Sequence, residues 1–266
     1  MTAVDTKEEQ KEILRGHFEE GGARRVIGYI QGLPVPEERR ALYSVARLAF
    51  EAQDAGKKDF DDLILIGKTG MEEALRQAED ARARSDEELA KKCVDAANLL
   101  AYNLAADLCE CWPGDEMPRE RGHIETGLDV ASRAVVWRNE LGKPLDRRAM
   151  AYWAVGMHHV SLGNFIEATG AFETALNLAA EAVAAGKRPL DPLAFVKGGA
   201  DFGVVLYAGY AGIARRLLGD PAGAKQYERA CAAFTESIAK HPDQKEDAQF
   251  GLEQLRWVEK KFAARK

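Results

Sequence analysis

Cysteine and proline are scarce in this sequence, which contains four cysteines and nine prolines among its 266 residues. The cysteines, at positions 93, 109, 111 and 231, show no spacing typical of a disulfide framework. The first ten residues are polar and acidic and lack the apolar segment of a secretory leader. The longest uncharged stretch, 149–166, contains two histidines and a Gly-Asn turn signal, so it does not predict a membrane span. We therefore expect a cytoplasmic protein with reduced cysteines.

Positive charge is also in deficit, since the formal net charge is −6 and the isoelectric point is about 5.6. A nucleic acid is bound chiefly through clustered lysine and arginine, so the composition argues against a nucleic-acid partner. Local pairs such as Arg24-Arg25 and Arg39-Arg40 are interpreted as solvated helix faces.

Strand signals are missing, because no run of alternating β-branched residues lies between turn signals. Aromatic residues make up only 8% of the chain, whereas 46% of its residues are hydrophobic, and alanine, glutamate and leucine are frequent. This composition favours helix throughout and predicts an all-α protein.

Helix ends are marked by capping residues, prolines and glycines. The start signals are Asp5-x-x-Glu8, Ser85-x-x-Glu88, Asn164-x-x-Glu167, Asp191-Pro192 and Asp220-Pro221. The stop signals are Gly142, Gly163, Gly186 and Gly219. They predict helices over 6–31 with a break near 21–22, 37–55, 59–83, 86–111, 119–141, 146–162, 165–185, 192–218, 221–240 and 243–263.

Two stretches, Tyr152–Ala175 and Ala208–Cys231, share a skeleton of small residues. In each, a glycine is followed seven residues later by the glycine of a Leu-Gly turn and then, five residues on, by an alanine. This spacing is typical of two packed antiparallel helices, and its repetition indicates an extended array.

At these residues the chain resembles the tetratricopeptide repeat family. The matching positions of the better repeat are Tyr152, Val155, Gly156, His159, Gly163, Phe165, Ala168, Phe172 and Ala175. The second repeat departs from the pattern at Ala208 and Glu228. Looser matches begin near Leu42 and Ala101, and equivalent positions lie 51 to 59 residues apart, against about 34 in the family.

The resemblance implies an α-solenoid of antiparallel helix pairs. We predict an N-terminal helical segment over 1–36, a continuous repeat array over 37–242 and a C-terminal capping helix over 243–266. The last helix carries one apolar stripe, which is what the exposed end of an array requires. That stripe consists of Leu252, Leu255, Val258 and Phe262.

In this family the first helix of each pair lines a concave face that binds a peptide or a helix of another protein. The resemblance therefore implies a non-enzymatic binding scaffold, with an aromatic and apolar face along those helices. The predicted partner-binding residues are Tyr43, Arg47, Tyr102, Asn103, Met150, Trp153, Met157 and Val160. The partner expected from the negative net charge is a protein or peptide with a basic or amphipathic helical segment.

Three alternatives stay open at this stage. The apolar stripe around Trp153 is either an open groove or a helix sandwiched between its neighbours. The same face is either a partner site or the interface of a homodimer. A metal-dependent enzyme would use Cys109, Cys111 and histidines, although no ligand spacing typical of a metal site supports it.

Two local signals of chemistry are weak. Ile66–Gly70 resembles the end of a phosphate-binding loop, but Asp62 stands where that loop requires glycine. The adjacent His158 and His159 project about 100° apart on a helix and so do not grip one metal together. We interpret His159 as a packing residue and expect no cofactor and no metal.

Overall fold

The computed structural model describes residues 6–53, 58–184 and 191–264, and every regular element within them is helical. The prediction of an all-α protein is confirmed. The α-helices of these residues are α1 Lys7–Gln31, α2 Pro36–Glu51, α3 Phe60–Ala83, α4 Glu87–Leu108, α5 Arg121–Glu140, α6 Leu145–Leu162, α7 Phe165–Val183, α8 Phe202–Leu217, α9 Pro221–Lys240 and α10 Lys245–Ala263. No helix among the described residues combines the length and the apolar character that crossing a bilayer requires.

The predicted break in the first helix is present. Gly21 and Gly22 leave the helical conformation, and Gly22 adopts a φ of 64°, which glycine tolerates better than other residues. The Asp62 carboxylate of α3 accepts a hydrogen bond from the backbone of Ala23, where the second half of α1 begins. Asp62, the residue that departs from the pattern of a phosphate-binding loop, thus has a capping role in the structure.

Several predicted caps are confirmed and others are corrected. Gly163 ends α6 with a φ of 79°, and the Asp220 side chain accepts a hydrogen bond from the backbone of Ala222 at 2.9 Å. Asp86 rather than Ser85 caps α4, and the Asn164 side chain makes no capping bond. The predictions at Asp5 and Gly186 lie outside the described residues.

The helix predicted over 192–218 is wrong in its first part. A short 3-10 turn at Pro192–Phe195 precedes a break at Gly198-Gly199, and α8 starts only after Asp201. The backbone N–H of Gly199 donates to Ser237 Oγ at 2.9 Å, and the φ of Gly199 is 77°. The chain therefore packs against α9 at this point instead of continuing as a helix.

The chain forms two compact units, Met1–Asp107 and Leu108–Lys266. Their boundary falls inside the segment that was predicted as one continuous array. In the first unit, Gly70 allows α3 to approach Tyr43 of α2 and Leu100 of α4, and Gly67 admits Leu104. A Cβ added at Gly70 would lie 2.8 Å from the Cβ of Tyr43, so these helices pack at close range.

In the second unit, α5 to α10 pack as successive neighbours. The short turns at Gly163 and Gly219 make α6 antiparallel to α7 and α8 antiparallel to α9. The two equivalent glycines of the repeated skeleton lie at these contacts: Gly156 meets the Phe172 ring, and Gly212 meets the backbone of Tyr227. The small-residue skeleton is therefore a helix-packing signal, as the sequence indicated.

The last helix, α10, packs on α8 and α9. Every residue of its predicted apolar stripe, 252, 255, 258 and 262, is buried. Leu255 fills the space over Gly209, and Gly251 lies against the rings of Phe202 and Phe234.

Replacing Gly163 by alanine is expected to destabilise the fold by about 1 kcal/mol, because a side chain disfavours the left-handed conformation. No heavy atom lies within 4 Å of an added Cβ there, so the loss would come from backbone strain alone. The matched control is Gly170→Ala, at an equally open position inside α7, where alanine should stabilise slightly. Urea denaturation measures both, and equal effects of the two substitutions would contradict the left-handed turn.

Candidate functional site

The predicted partner-binding residues divide between the two units. Tyr43, Trp153, Met157 and Val160 are buried, with Trp153 only 5% exposed. The other four, Arg47, Tyr102, Asn103 and Met150, are partly exposed. Helix α6 contacts α5, α7 and α8, so both of its faces are covered. Its apolar stripe thus corresponds to the sandwiched helix rather than to the open groove.

Trp153 belongs to a chain of aromatic rings that runs outward to the surface. Its ring centroid lies 6.3 Å from Tyr210 on the inner side and 6.0 Å from Trp112 on the outer side. Tyr210 in turn stacks on Phe172 at 5.3 Å. Trp112 stacks on Phe250 at 6.3 Å with an interplanar angle of 20°. Trp112 is half-buried and Phe250 is 44% exposed.

Acidic side chains share the helix face that carries Phe250 and the loop that follows Trp112. Successive residues of a helix are rotated by about 100°, so Glu246, Asp247 and Glu253 lie within about 60° of Phe250 on α10. All three are exposed, as is Glu116 in the loop after Trp112. Of the cations of α10, those at positions 245 and 256 project more than about 100° away, whereas Lys261 lies within about 20° of Phe250, three turns further along, and pairs with Glu110 at 3.2 Å. We name this feature, an aromatic pair with an acidic rim, the Trp112–Phe250 surface.

Neither ring of this surface is among the binding residues predicted from the sequence. Trp112 lies in a loop that was interpreted only as a break between helices. Phe250 lies off the apolar stripe of α10, and a large aromatic residue on the polar face of an amphipathic helix is the signal that would have identified it.

Cys109, Cys111 and His158 lie together in the interior of the second unit. The distance between Cys109 Sγ and His158 Nε2 is 3.6 Å, and all three residues are at most 1% exposed. Burial raises the pKa of Tyr210 well above its usual range, and the neighbouring cysteines add to this effect. Within the described ranges no group of three or more His, Cys, Asp or Glu side chains is arranged to hold a metal ion.

The packing histidine is His158 rather than the predicted His159. A Cβ added at Gly127 of α5 would lie 2.1 Å from the His158 ring, so this ring fills the space that the glycine leaves. His159 is half-exposed, and its partial burial lowers its pKa.

In the first unit Arg47 links α2 to α4. Its guanidinium donates two hydrogen bonds of 2.6 Å to the Asp107 carboxylate and pairs with Glu51 at 2.7 Å. Burial opposes the charge, but the bonds and the negative charge of Asp107 raise the pKa of Arg47. The predicted binding residue is thus engaged in an intramolecular ion pair.

A cleft of about 300 Å³ opens between the start of α2, the end of α3 and the start of α4. Four arginine side chains line it, and we name it the arginine cleft. Its lining residues are Val35, Pro36, Glu37, Arg39, Arg40, Arg76, Gln77, Asp80, Arg84 and Leu89. Arg39 and Arg40 were interpreted as part of a solvated face, but their side chains turn toward α3 instead.

A buried carboxylate holds this region together. Glu73 is 9% exposed and accepts hydrogen bonds from Arg39 and Gln77, each at 2.8 Å, and from Arg76. Burial raises the pKa of the Glu73 carboxyl, but these bonds outweigh burial and lower it to about 2. Burial raises the pKa of Tyr43 to about 12, and the negative charge of Glu73 adds to this shift.

The segment Ile66–Gly70 lies inside helix α3 and does not form a loop. Both of its glycines face neighbouring helices. The segment therefore resembles a phosphate-binding loop in sequence but not in structure. In comparisons with known proteins, no family model and no curated protein matches the chain.

Replacement of Trp153 by alanine should destabilise the fold by about 3–5 kcal/mol, because it removes a large buried side chain. The matched change, Trp112→Ala, should cost much less, since that ring is half-exposed. Thermal denaturation followed by circular dichroism compares the two, and equal melting temperatures for Trp153→Ala and wild type would contradict the interior position of Trp153.

Acid should weaken the fold through Glu73. The pKa of this carboxyl is about 2 in the folded protein and 4.5 ordinarily. Its contribution to the stability of the fold is therefore fully present above a pH of 4.5. It is lost as the pH falls from about 5 to about 2 and is on the order of 3 kcal/mol. Glu73→Gln should flatten the dependence of the urea midpoint on pH in this window, whereas Glu72→Gln, at the exposed neighbouring position, should leave it steep.

Proposed function

We propose that this protein is a non-enzymatic, cytoplasmic helical scaffold that binds a protein or peptide through the Trp112–Phe250 surface. The observation that carries the proposal is a stacked aromatic pair, partly exposed and rimmed by carboxylates. Aromatic side chains are enriched in binding hot spots because they bury a large area with few rotors. The proposed binding rings are thus the partly exposed Trp112 and Phe250 instead of the predicted Trp153, which is buried.

The Trp112–Phe250 surface is supported from below by buried aromatic rings. Trp112 rests edge-on against Trp153, which is itself held by Tyr210. A ring that is fixed before binding loses little conformational freedom when a partner covers it. The surface is thus suited to recognition without rearrangement.

Charge indicates the kind of partner. Glu246, Asp247 and Glu253 share the face of α10 that carries Phe250, and Glu116 lies in the loop after Trp112. The whole chain carries a net charge of −6. A basic amphipathic helix would place its apolar face on the rings and its lysines or arginines on the carboxylates. This partner class is the one expected from the sequence.

The repeated glycine contacts support a relationship to the tetratricopeptide repeat family. Gly156 in α6 and Gly212 in α8 occupy the same place in their helix pairs, and each adjoins a second helix at close range. Four free thiols support a reducing compartment such as the cytoplasm. The chemistry of a catalyst has less support, because the Cys109–His158 pair is closed to a substrate by burial.

Site-specific crosslinking tests this proposal. A photoreactive phenylalanine analogue at position 250 should crosslink a distinct protein in the source cell. The same analogue at Ile166, which is 72% exposed on α7, should not crosslink it. Charge reversal at the rim, by Glu246→Lys with Glu253→Lys, should abolish the adduct. The control pair, Glu72→Lys with Glu79→Lys, changes two glutamates that are also exposed and seven residues apart, and it should retain the adduct.

Other outcomes would contradict the proposal. An adduct with twice the mass of the chain would assign the surface to a homodimer interface instead of a partner site. Adducts of equal yield at 250 and 166, or adducts insensitive to the rim, would remove the surface as a specific site.

A further inference from the structure

The arginine cleft is a second feature of the molecule, and the Trp112–Phe250 surface does not explain it. It lies in the first unit, wholly within residues 35–89, and its volume is about 300 Å³. This volume is near the lower end of the range for small-molecule sites. Its walls combine guanidinium groups with the apolar side chains of Val35, Pro36 and Leu89.

Two of its arginines are fixed before any ligand arrives. Arg39 donates to Glu73 and to the Leu33 carbonyl oxygen, each at 2.8 Å. Arg76 donates to the second oxygen of the same carboxylate. Glu73 therefore orients both guanidinium groups from below and still leaves N–H donors of these groups for a ligand.

The other two arginines have no carboxylate partner among the described residues. Arg40 donates to the Gln77 side-chain oxygen and lies 3.2 Å from Cys93 Sγ, and burial raises the pKa of that thiol. Both contacts of Arg40 are thus to neutral groups. Arg84 ends α3 as an exposed side chain, and no ion pair engages it in this part of the chain.

The carboxylates on the rim do not cancel this charge. Asp80 lies 3.8 Å from Arg76, and both side chains are 56% exposed, so solvent screens the pair. Glu37 is exposed, and its charge also acts on Lys92 of α4. The lining of the cleft thus has four arginines against Glu37 and Asp80. Glu73 is buried beneath it, and the charge of Asp86 reaches Cys93 beside Arg40.

We propose that the arginine cleft binds the phosphate group of a small phosphate monoester, with Arg40 and Arg84 as its main ligands and Arg76 beside them. A phosphate dianion offers three oxygens to donors from several directions, whereas a carboxylate fills a single guanidinium fork. The organic part of the ligand lies against Val35, Pro36 and Leu89. The cleft is large enough for one small ring or a short chain beside the phosphate.

Calorimetric titration with phenyl phosphate tests the proposal on the 266-residue chain at low ionic strength. Wild type should show saturable binding, and Arg40→Gln with Arg84→Gln should weaken it at least tenfold. The control pair Arg24→Gln with Arg82→Gln removes the same charge from two exposed arginines outside the cleft and should change the affinity less than twofold. Benzoate, with the same ring and a carboxylate, should bind much more weakly.

Several results would overturn the proposal. These are the absence of saturable phenyl phosphate binding by wild type, equal losses in the two double variants, or benzoate binding as tight as phosphate binding. Tighter binding of a phosphoserine peptide than of phenyl phosphate would exclude the small-molecule class. Arg84→Gln alone changes an exposed side chain, so it keeps the test decisive if the double variant does not fold.

Discussion

Close contact between helices at glycine is the constraint on which the rest of this structure depends. At Gly212 and Gly223 the missing side chains bring the backbones of α8 and α9 together, and an added Cβ at either residue would lie within 2.6 Å of a backbone nitrogen. At Gly156 the same absence admits the ring of Phe172, which stacks on Tyr210. The aromatic chain that ends at Phe250 is thus anchored on a glycine. The packing of an interior is dense, so one methyl group at such a place has no room.

A second constraint operates in the first unit, where a carboxylate lies beneath arginines. Breaking a buried ionic network by removing one partner is costly, because the remaining charges lose their compensation. Glu73 is such a partner: Arg39, Arg76 and Gln77 all converge on it from two helices. Glu73 therefore supports both the packing of α2 on α3 and the arginine cleft above it.

Local chemistry explains which features were predictable from the sequence. The ends of α6 and α9 follow from Gly163 and Asp220, whose effect depends on a few neighbouring residues. The break in α1 follows from Gly21-Gly22 in the same way. The start of α8 did not, because Gly198-Gly199 is held by Ser237, nearly forty residues further along the chain.

The two candidate sites depend on contacts between helices, and the hydrophobic periodicity of the sequence does not show which helices meet. The sequence shows that Trp153 lies on an apolar stripe, but it does not show whether that stripe faces solvent or another helix. The position of α8, which covers the stripe, answers this question. Arg39 and Arg40 form an ordinary charged pair until Glu73 and Gln77 of another helix are placed beside them. What the sequence predicted well was the helices, and what it missed was which of their faces meet.

The interruption of α1 at Gly22 has a consequence for how this protein opens. A continuous helix of 25 residues would pass fraying from one end to the other, because each hydrogen bond supports the next. Here the ladder is broken, and the second half has its own cap from Asp62 on α3. Fraying that begins at the N-terminal end of α1 should therefore stop at the glycine pair, and the amides after Ala23 should stay protected from exchange. The glycine pair thus divides one helix into two segments, each with its own cap.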